Sequence, residues 1–268
     1  MVTSHKPAVA TQEGWDPMQY LCFGDERLRP ALDMMARVKL TAPRRIVDLG
    51  CGPGNVTAIL KQRFPGAAVT GLDSSAAMLE KARLAAPDCH FVQGDFLTWG
   101  PEEPPDLIYS NAALHWVDQH ATLFPRLLSL LAPSGVLAVQ MPAMHKAPLR
   151  TLPYFMGPKG PWAKHLRGVA SAPDILEPGE YWDILRPRAA TLDLWETVYM
   201  HALQGENAVG EWATGSSLRP FLDALPADLR APFRTAYDAE ANREYPRRPD
   251  GITLLPFRRI FIVAQAPP

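Results

Sequence analysis

The stretch Ile46-Val47-Asp48-Leu49-Gly50-Cys51-Gly52-Pro53-Gly54-Asn55 constrains this chain more than any other. A β-branched run ends in an acidic residue, three glycines follow at every second position, and a helical pattern then begins. A strand that turns through glycines into a helix N-terminus lets a ligand approach the backbone closely. It meets bare N–H groups there and the positive end of the helix dipole. The spacing departs from the dinucleotide fingerprint G-x-G-x-x-G: the third glycine, Gly54, falls one residue early and Asn55 stands in its expected place.

Strand and helix patterns alternate from this turn onward. Strands are expected at 45–49, 68–72, 90–93, 107–109 and 135–141, and helices at 54–64, from Ser74 or Ser75 to about 86, and at 119–131. An earlier helix is expected over 25–38, with Leu28, Leu32, Met35 and Ala36 at helical spacing. Such alternation gives an α/β fold, a doubly wound and mostly parallel sheet with right-handed crossovers. Ligands of these sheets bind beyond the carboxyl ends of the strands, where Asp48, Asp73, Asp95 and Asn111 fall. Later in the chain, 192–199 and 252–263 read as strands, 206–213 as a short helix and 229–244 as an amphipathic one. Residues 142–188 carry Pro, Gly and aromatics without clear periodicity. The organisation expected is a tail at 1–14 and a single domain at 15–268, with 142–188 and about 206–244 forming a substrate-binding cap.

A net charge of −1, from 27 basic and 28 acidic residues, gives no electrostatic case for a nucleic-acid partner. No uncharged apolar run reaches the roughly 18 residues of a membrane helix, and no secretory signal is visible in 1–14. Cys22, Cys51 and Cys89 form neither a C-x-x-C motif nor a disulfide framework, so a reducing cytoplasm is expected. Of the aromatics ahead of the first helix, Trp15 and Tyr20 either pack under it or close over a ligand.

Asp73 follows Gly54 by 19 positions, where a carboxylate can accept hydrogen bonds from ribose hydroxyls; the alternative is a helix N-cap, a task Ser74 or Ser75 can perform instead. Asp95 and Phe96 end the third strand, where Asp95 can accept from an adenine amine and Phe96 can lend backbone or ring contact; a plain surface turn is the other reading.

Asp48 to Gly54, Gly71-Leu72-Asp73 and Gly94-Asp95-Phe96 resemble the successive motifs of the class I S-adenosylmethionine-dependent methyltransferases. Flanking segments resemble the trans-aconitate 2-methyltransferase family within them. These are Tyr20-Leu21-Cys22-Phe23, Glu26 to Pro30, Leu107 to Ala112, Val136 to Pro142, Leu218-Arg219-Pro220 and Phe257 to Ala264. The likeness covers 15–142 and 181 to the end, and is poor over roughly 145–178. It implies a seven-stranded Rossmann-like sheet and S-adenosyl-L-methionine as cofactor, S-adenosyl-L-homocysteine as product, and no metal. The Gly-rich turn (Asp48, Gly50, Gly52, Gly54) would hold the amino-acid part, Asp73 the ribose, and Asp95 with Phe96 the adenine. Asn111 would line the methionine end. His115 departs from a position that is often Gln-like in the family, beside the aromatic Trp116. It is read either as a packed or solvated residue or as a substrate contact.

The implied reaction esterifies one carboxylate of trans-aconitate, a small tricarboxylic acid. A carboxylate with pKa near ~4 is already ionised at neutral pH, so no general base is required and positioning by Asn111, His115 and Trp116 suffices. A trianionic substrate needs cations, and the arginine fork suits carboxylates. Arg219 and Arg259 are the leading candidates, Arg29 and Arg258 weaker ones, and Tyr181 a candidate hydroxyl donor. Each arginine can instead be a surface ion pair. Competing readings are methylation of another small acid or of a hydroxyl-bearing metabolite with His115 as base, a nucleotide-binding oxidoreductase, and a cofactor-binding protein without turnover.

Overall fold

A computed structural model describes residues 28–169 and 173–268. Trp15 and Tyr20 lie outside the described residues. The chain runs α1 (Arg29–Arg37), β1 (Arg45–Leu49), α2 (Asn55–Arg63), β2 (Ala68–Asp73), α3 (Ala76–Ala85), β3 (His90–Gln93) and β4 (Leu107–Asn111). A 3₁₀ turn at Leu114–Trp116, α4 (His120–Ser129) and β5 (Val136–Pro142) follow. Then come α5 (Pro148–Met156), α6 (Ala163–Leu166), α7 (Pro178–Leu185), β6 (Thr191–Gln204), α8 (Ala208–Thr214), α9 (Arg219–Ala224), α10 (Ala227–Glu244) and β7 (Ile252–Gln265).

The seven strands form one sheet in the order β3-β2-β1-β4-β5-β7-β6, parallel except for β7, which runs antiparallel to both β5 and β6. This is the doubly wound α/β sheet expected from the strand and helix alternation. Its central strands are apolar on both faces because both are covered, as parallel sheets require. On one face Ile46, Val69, Tyr109 and Phe261 pack with Leu32 and Met35 of α1 and Leu60 of α2. On the other, Val47, Ile108, Val139 and Ile262 pack with Phe124 and Leu127 of α4 and Tyr181 and Leu185 of α7.

β6 and β7 are 14 residues each, longer than the strands expected at 192–199 and 252–263. Only the end of β7 from Arg259 to Gln265 pairs with β5; the preceding half, from Ile252, pairs with β6 alone. The two-stranded arm thus leaves the sheet at its carboxyl edge and carries Leu203, Leu255 and Phe257 into a separate apolar cluster. That cluster gathers Leu149 of α5, Leu166 of α6, Val209 of α8, Phe221 of α9, and Phe233 and Tyr237 of α10. Residues of the two expected cap segments therefore meet around one core. α7 departs from that grouping. Its capping box, Glu177 with Glu180, starts a helix whose Tyr181 and Leu185 pack onto the main sheet instead. Among the described residues, no helix is long and apolar enough to cross a membrane.

Candidate active site

The turn after β1 owes its shape to glycines. Gly50 has φ +70°, and a Cβ there would meet the Ala113 Cβ at 2.2 Å. Gly54 caps α2 at φ +85°, and a Cβ would stand 2.9 Å from the backbone and Cβ of Ala82, so α2 and α3 approach through it. The turn is also tied to β2: Gly50 and Cys51 N–H groups both donate to the Leu72 carbonyl, at 2.8 and 3.0 Å. Asp73 completes the join, its Oδ2 accepting from the Gly52 N–H at 2.9 Å and its Oδ1 from the Ser75 N–H at 2.9 Å. Ser75 itself caps α3 by accepting from the Met78 N–H. Asp73 is thus released from the capping task and presents its carboxylate to the cleft.

Two adjoining clefts open over the carboxyl edge. One, of about 500 Å³, is lined by Gly52, Asp73, Ser74, Asp95, Phe96 and Trp116. The other, of about 250 Å³, is lined by Asp48, Gly50, Cys51, Asn55 and Asn111. Gly50, Gly52, Pro53 and Ala112 line both. The sequence-predicted residues Asp48, Gly50, Gly52, Asp73, Asp95, Phe96, Asn111 and Trp116 are therefore brought together along one surface. Gly54 stands behind it, at the joint of α2 and α3. Asp95 accepts from the Leu97 N–H at 2.9 Å, and Arg126 of α4 fixes the loop beyond by donating to the carbonyls of Phe96 and Trp99. Asp48 is buried and accepts from Thr57 Oγ1 at 2.7 Å; burial pushes its carboxyl up to about 7, against the pull of that hydrogen bond and with a push from Asp73.

Where β4 ends, Ala112 adopts φ +54°, one of two non-glycine residues with positive φ among the described residues. Its N–H donates to the Gln140 carbonyl at 2.9 Å, which holds the strained residue beside Asn111. Around this point lie buried polar atoms without a hydrogen-bond partner: Asn111 Oδ1, His115 Nδ1, Gln140 Nε2 and Arg259 Nε. Arg259 is 7% exposed, donates weakly to Gln140 Oε1 at 3.4 Å and lies over the Phe257 ring. Among the described residues, no carboxylate lies within ion-pair distance of it. Burial lowers its pKa to about 10, which still leaves it charged at neutral pH. His115 is pushed down to about 4, first by burial and then by electrostatic interaction with Arg259, Arg150 and His120, in that order. A buried guanidinium, an unpaired amide donor and a neutral imidazole are a set that an incoming anion would complete.

Two expected substrate contacts stand elsewhere. Tyr181 is fully buried in the core, and its O–H donates to His120 Nδ1 at 2.5 Å, while His120 Nε2–H donates to the Leu114 carbonyl at 2.9 Å. Its hydroxyl is consumed in packing α7 against α4. Arg219 opens α9, is 72% exposed, and pairs with Asp223 one turn on, at 3.5 Å. Arg258 pairs with Glu196 at 3.1 Å, and Arg29 lies over the Tyr199 ring. Arg150 was not foreseen. Pro148 at the first helical position, with Leu149, Leu152, Pro153 and Met156 at helical spacing, is the signal that marks its helix.

A family described as a methyltransferase domain matches residues 46–135. Over nearly the whole chain, the trans-aconitate 2-methyltransferase of Methylobacterium radiotolerans is 49% identical, covering 94% of this chain and 98% of that protein. The enzyme of the same name from Yersinia pseudotuberculosis is 43% identical over 95% and 99%. The chain belongs to the trans-aconitate 2-methyltransferase family. Solved structures agree with this at the level of the fold. The YcgJ protein of Bacillus subtilis superposes with a TM-score of 0.58 at 16% identity, over 89% of this chain and 97% of that one. Phosphoethanolamine N-methyltransferase 2 of Haemonchus contortus, solved with phosphomonomethylethanolamine and S-adenosylhomocysteine, gives 0.51 at 13% identity, over 88% and 52%.

Proposed function

We propose that this protein transfers the methyl group of S-adenosyl-L-methionine to one carboxylate of trans-aconitate, forming a monomethyl ester and S-adenosyl-L-homocysteine. The observation that carries this reading is the buried guanidinium of Arg259, which among the described residues has no carboxylate within ion-pair distance and bonds Gln140, the β5 residue opposite Asn111, in a chain of this family. The two clefts fit the cofactor: the Gly50–Gly54 turn and Asp48 for its amino-acid part, Asp73 for the ribose hydroxyls, and Asp95 and Phe96 for the adenine. When bound, the cofactor supplies an electrophilic methyl on a sulfonium.

The chain's own residues then have three tasks. Arg259, steadied by Gln140, holds a carboxylate that does not react, because a cation on the attacking oxygens would blunt them. Asn111 and the strained Ala112, which line the smaller cleft, would face the cofactor's methionine end. Trp116, at 63% exposure on the rim of the larger cleft, limits water over the reacting atoms when substrate is present. The attacking carboxylate is ionised at neutral pH, so the reaction asks for no general base. Alignment alone can supply roughly 7–11 kcal/mol in the best intramolecular cases. The reading is tested by assaying methyl transfer to trans-aconitate against cis-aconitate, citrate and isocitrate.

Asp48 gives this reading a pH signature. Its folded pKa is raised to about 7, so the folded chain holds a proton there that the unfolded chain releases near ~4. The stability it contributes is therefore full below that lower pKa and lost as pH rises through about 7. Cofactor binding runs the other way, since an ammonium in the smaller cleft favours the ionised carboxylate. Affinity for S-adenosyl-L-homocysteine is expected to weaken as pH falls below about 7, by up to about tenfold per unit. Asp48→Asn should bind weakly and flatten that profile in calorimetric titrations; a wild-type profile as flat as the variant's contradicts the assignment.

A further inference from the structure

Acceptors and donors are sorted by strand across the carboxyl edge of the sheet. Asp48 and Asn111 Oδ1 lie on β1 and β4, whereas Gln140 Nε2 and Arg259 lie on β5 and β7. Resting on the proposed function, we propose that Gln140 is a further catalytic residue, whose Nε2–H holds one oxygen of the attacking carboxylate and leaves the other free to meet the methyl group. Strand register puts it there. Asn111 stands opposite Gln140, Gln140 is two residues before Pro142, and Pro142 stands opposite Arg259. Paired residues, and residues two apart on a strand, point to the same face, so these three side chains share one face of the sheet. Asn111 also lines the smaller cleft. Gln140 is thus the residue between the cleft proposed for the cofactor and the cation proposed to anchor the acid.

Arg259 also settles which way the amide faces. A guanidinium has donors only, so the Gln140 oxygen is the atom turned to Arg259 Nη1, at 3.4 Å, and Nε2 is left for another partner. Gln140 is fully buried and its Nε2 has no hydrogen-bond partner. A buried donor left unmatched is costly, and a bound acceptor recovers that cost. The backbone fixes the same residue to the cleft wall, since the Gln140 carbonyl accepts from the N–H of Ala112 at 2.9 Å. In the transfer, a carboxylate oxygen gains the bond to the methyl carbon as the carbon–sulfur bond breaks; both electrons of that bond stay on sulfur and no proton moves. The oxygen held by Gln140 becomes the ester carbonyl and remains an acceptor throughout. A neutral amide can therefore hold it through the whole step, where a guanidinium fork would grip both oxygens of an anion that is losing its charge.

The rival account has Gln140 do no more than steady Arg259, and the experiment separates the two. Steady-state kinetics on trans-aconitate would be measured for the wild type, Gln140→Met, Gln140→Glu, Arg259→Met and the double variant Gln140→Met/Arg259→Met. Calorimetric titration with S-adenosyl-L-homocysteine, expected within twofold of wild type, reports the fold of each. Gln140→Met, which keeps the volume and loses the donor, should lower kcat by about ten- to a hundredfold, because the attacking oxygen is no longer aimed. Gln140→Glu keeps an acceptor for Arg259 but turns a carboxylate toward the attacking anion, and kcat should fall at least as far. The double variant should lose about the same factor again in kcat/KM relative to Arg259→Met, as independent contacts do. A residue that acts only through Arg259 would instead raise KM with kcat kept, and would cost nothing further once Arg259 is gone. Wild-type kcat in either Gln140 variant overturns the assignment, as does a double variant no worse than Arg259→Met. If the wild type turns over trans-aconitate and the Gln140 variants keep its kcat, the proposed function stands and only the role of Gln140 falls. If the wild type methylates no acid, both fall.

Discussion

Arg259→Met is expected to raise KM for trans-aconitate by roughly 10²- to 10³-fold while leaving the affinity for S-adenosyl-L-homocysteine within twofold of wild type. The size follows from losing a charged, desolvated anchor, about 3–4 kcal/mol where one member of a buried charge pair is removed. The split follows from position, because Arg259 lies on β7 opposite Pro142 of β5, whereas the two clefts proposed for the cofactor are built on β1, β2 and β4. Methionine keeps most of the volume beneath Phe257, so packing is largely preserved. The same variant should melt no lower than wild type without substrate. A buried guanidinium with no carboxylate within ion-pair distance among the described residues is a cost that substrate relieves, and replacing it with an apolar chain removes that cost. Stability and activity would then move apart, as they do where a site is built for its ligand rather than for the fold. Steady-state kinetics with calorimetric titration and thermal melts read all three quantities; an unaltered KM would remove Arg259 from the substrate site.

Asp73→Ala should have an effect of similar size on the other ligand. The carboxylate accepts two backbone N–H groups, from Gly52 in the turn and Ser75 at the head of α3, each at 2.9 Å. Charged hydrogen bonds of this kind are worth about 1.5–3 kcal/mol each. Removing them loosens the turn and takes away the acceptor for the ribose at once. Affinity for S-adenosyl-L-homocysteine is expected to fall by roughly 10²–10³-fold. Asp73→Asn should be nearly as damaging, because an amide NH₂ turned toward the Gly52 or Ser75 N–H sets donor against donor. KM for the acid, measured at saturating cofactor, should change little in either variant. An Asp73→Ala protein that binds the cofactor with wild-type affinity would leave the carboxylate as a purely local brace.

The part of this architecture that was legible in the sequence is the part governed by short-range rules. β1 to β5 are short apolar runs between turn residues, and their carboxyl ends carry the acidic and amide groups that line the clefts. The glycines at 50 and 54 announce a turn because a side chain is strained at their positive φ and a Cβ would collide with Ala113 or Ala82. The arginines show where that reasoning stops. Arg150 and Arg219 both lie in the first turn of a helix that carries a proline at its start, and nothing local separates them. The orientation of each helix in the cap core decides that one is mostly buried and the other exposed. The place of Tyr181 is set in the same way, since its helix packs on α4 and its hydroxyl meets His120 from 61 residues away. The length of β6 and β7 is set by pairing in the arm, with exposed Val198 and Met200 alternating with buried Tyr199 and His201, and that pairing depends on a partner strand distant in sequence.

The most direct test of the account is methyl transfer from S-adenosyl-L-methionine to trans-aconitate, with cis-aconitate, citrate and isocitrate assayed in parallel and the ester identified by mass spectrometry. The account predicts turnover strongest on trans-aconitate, with one methyl group added per acid. Tight cofactor binding without turnover on any of the four acids would contradict it.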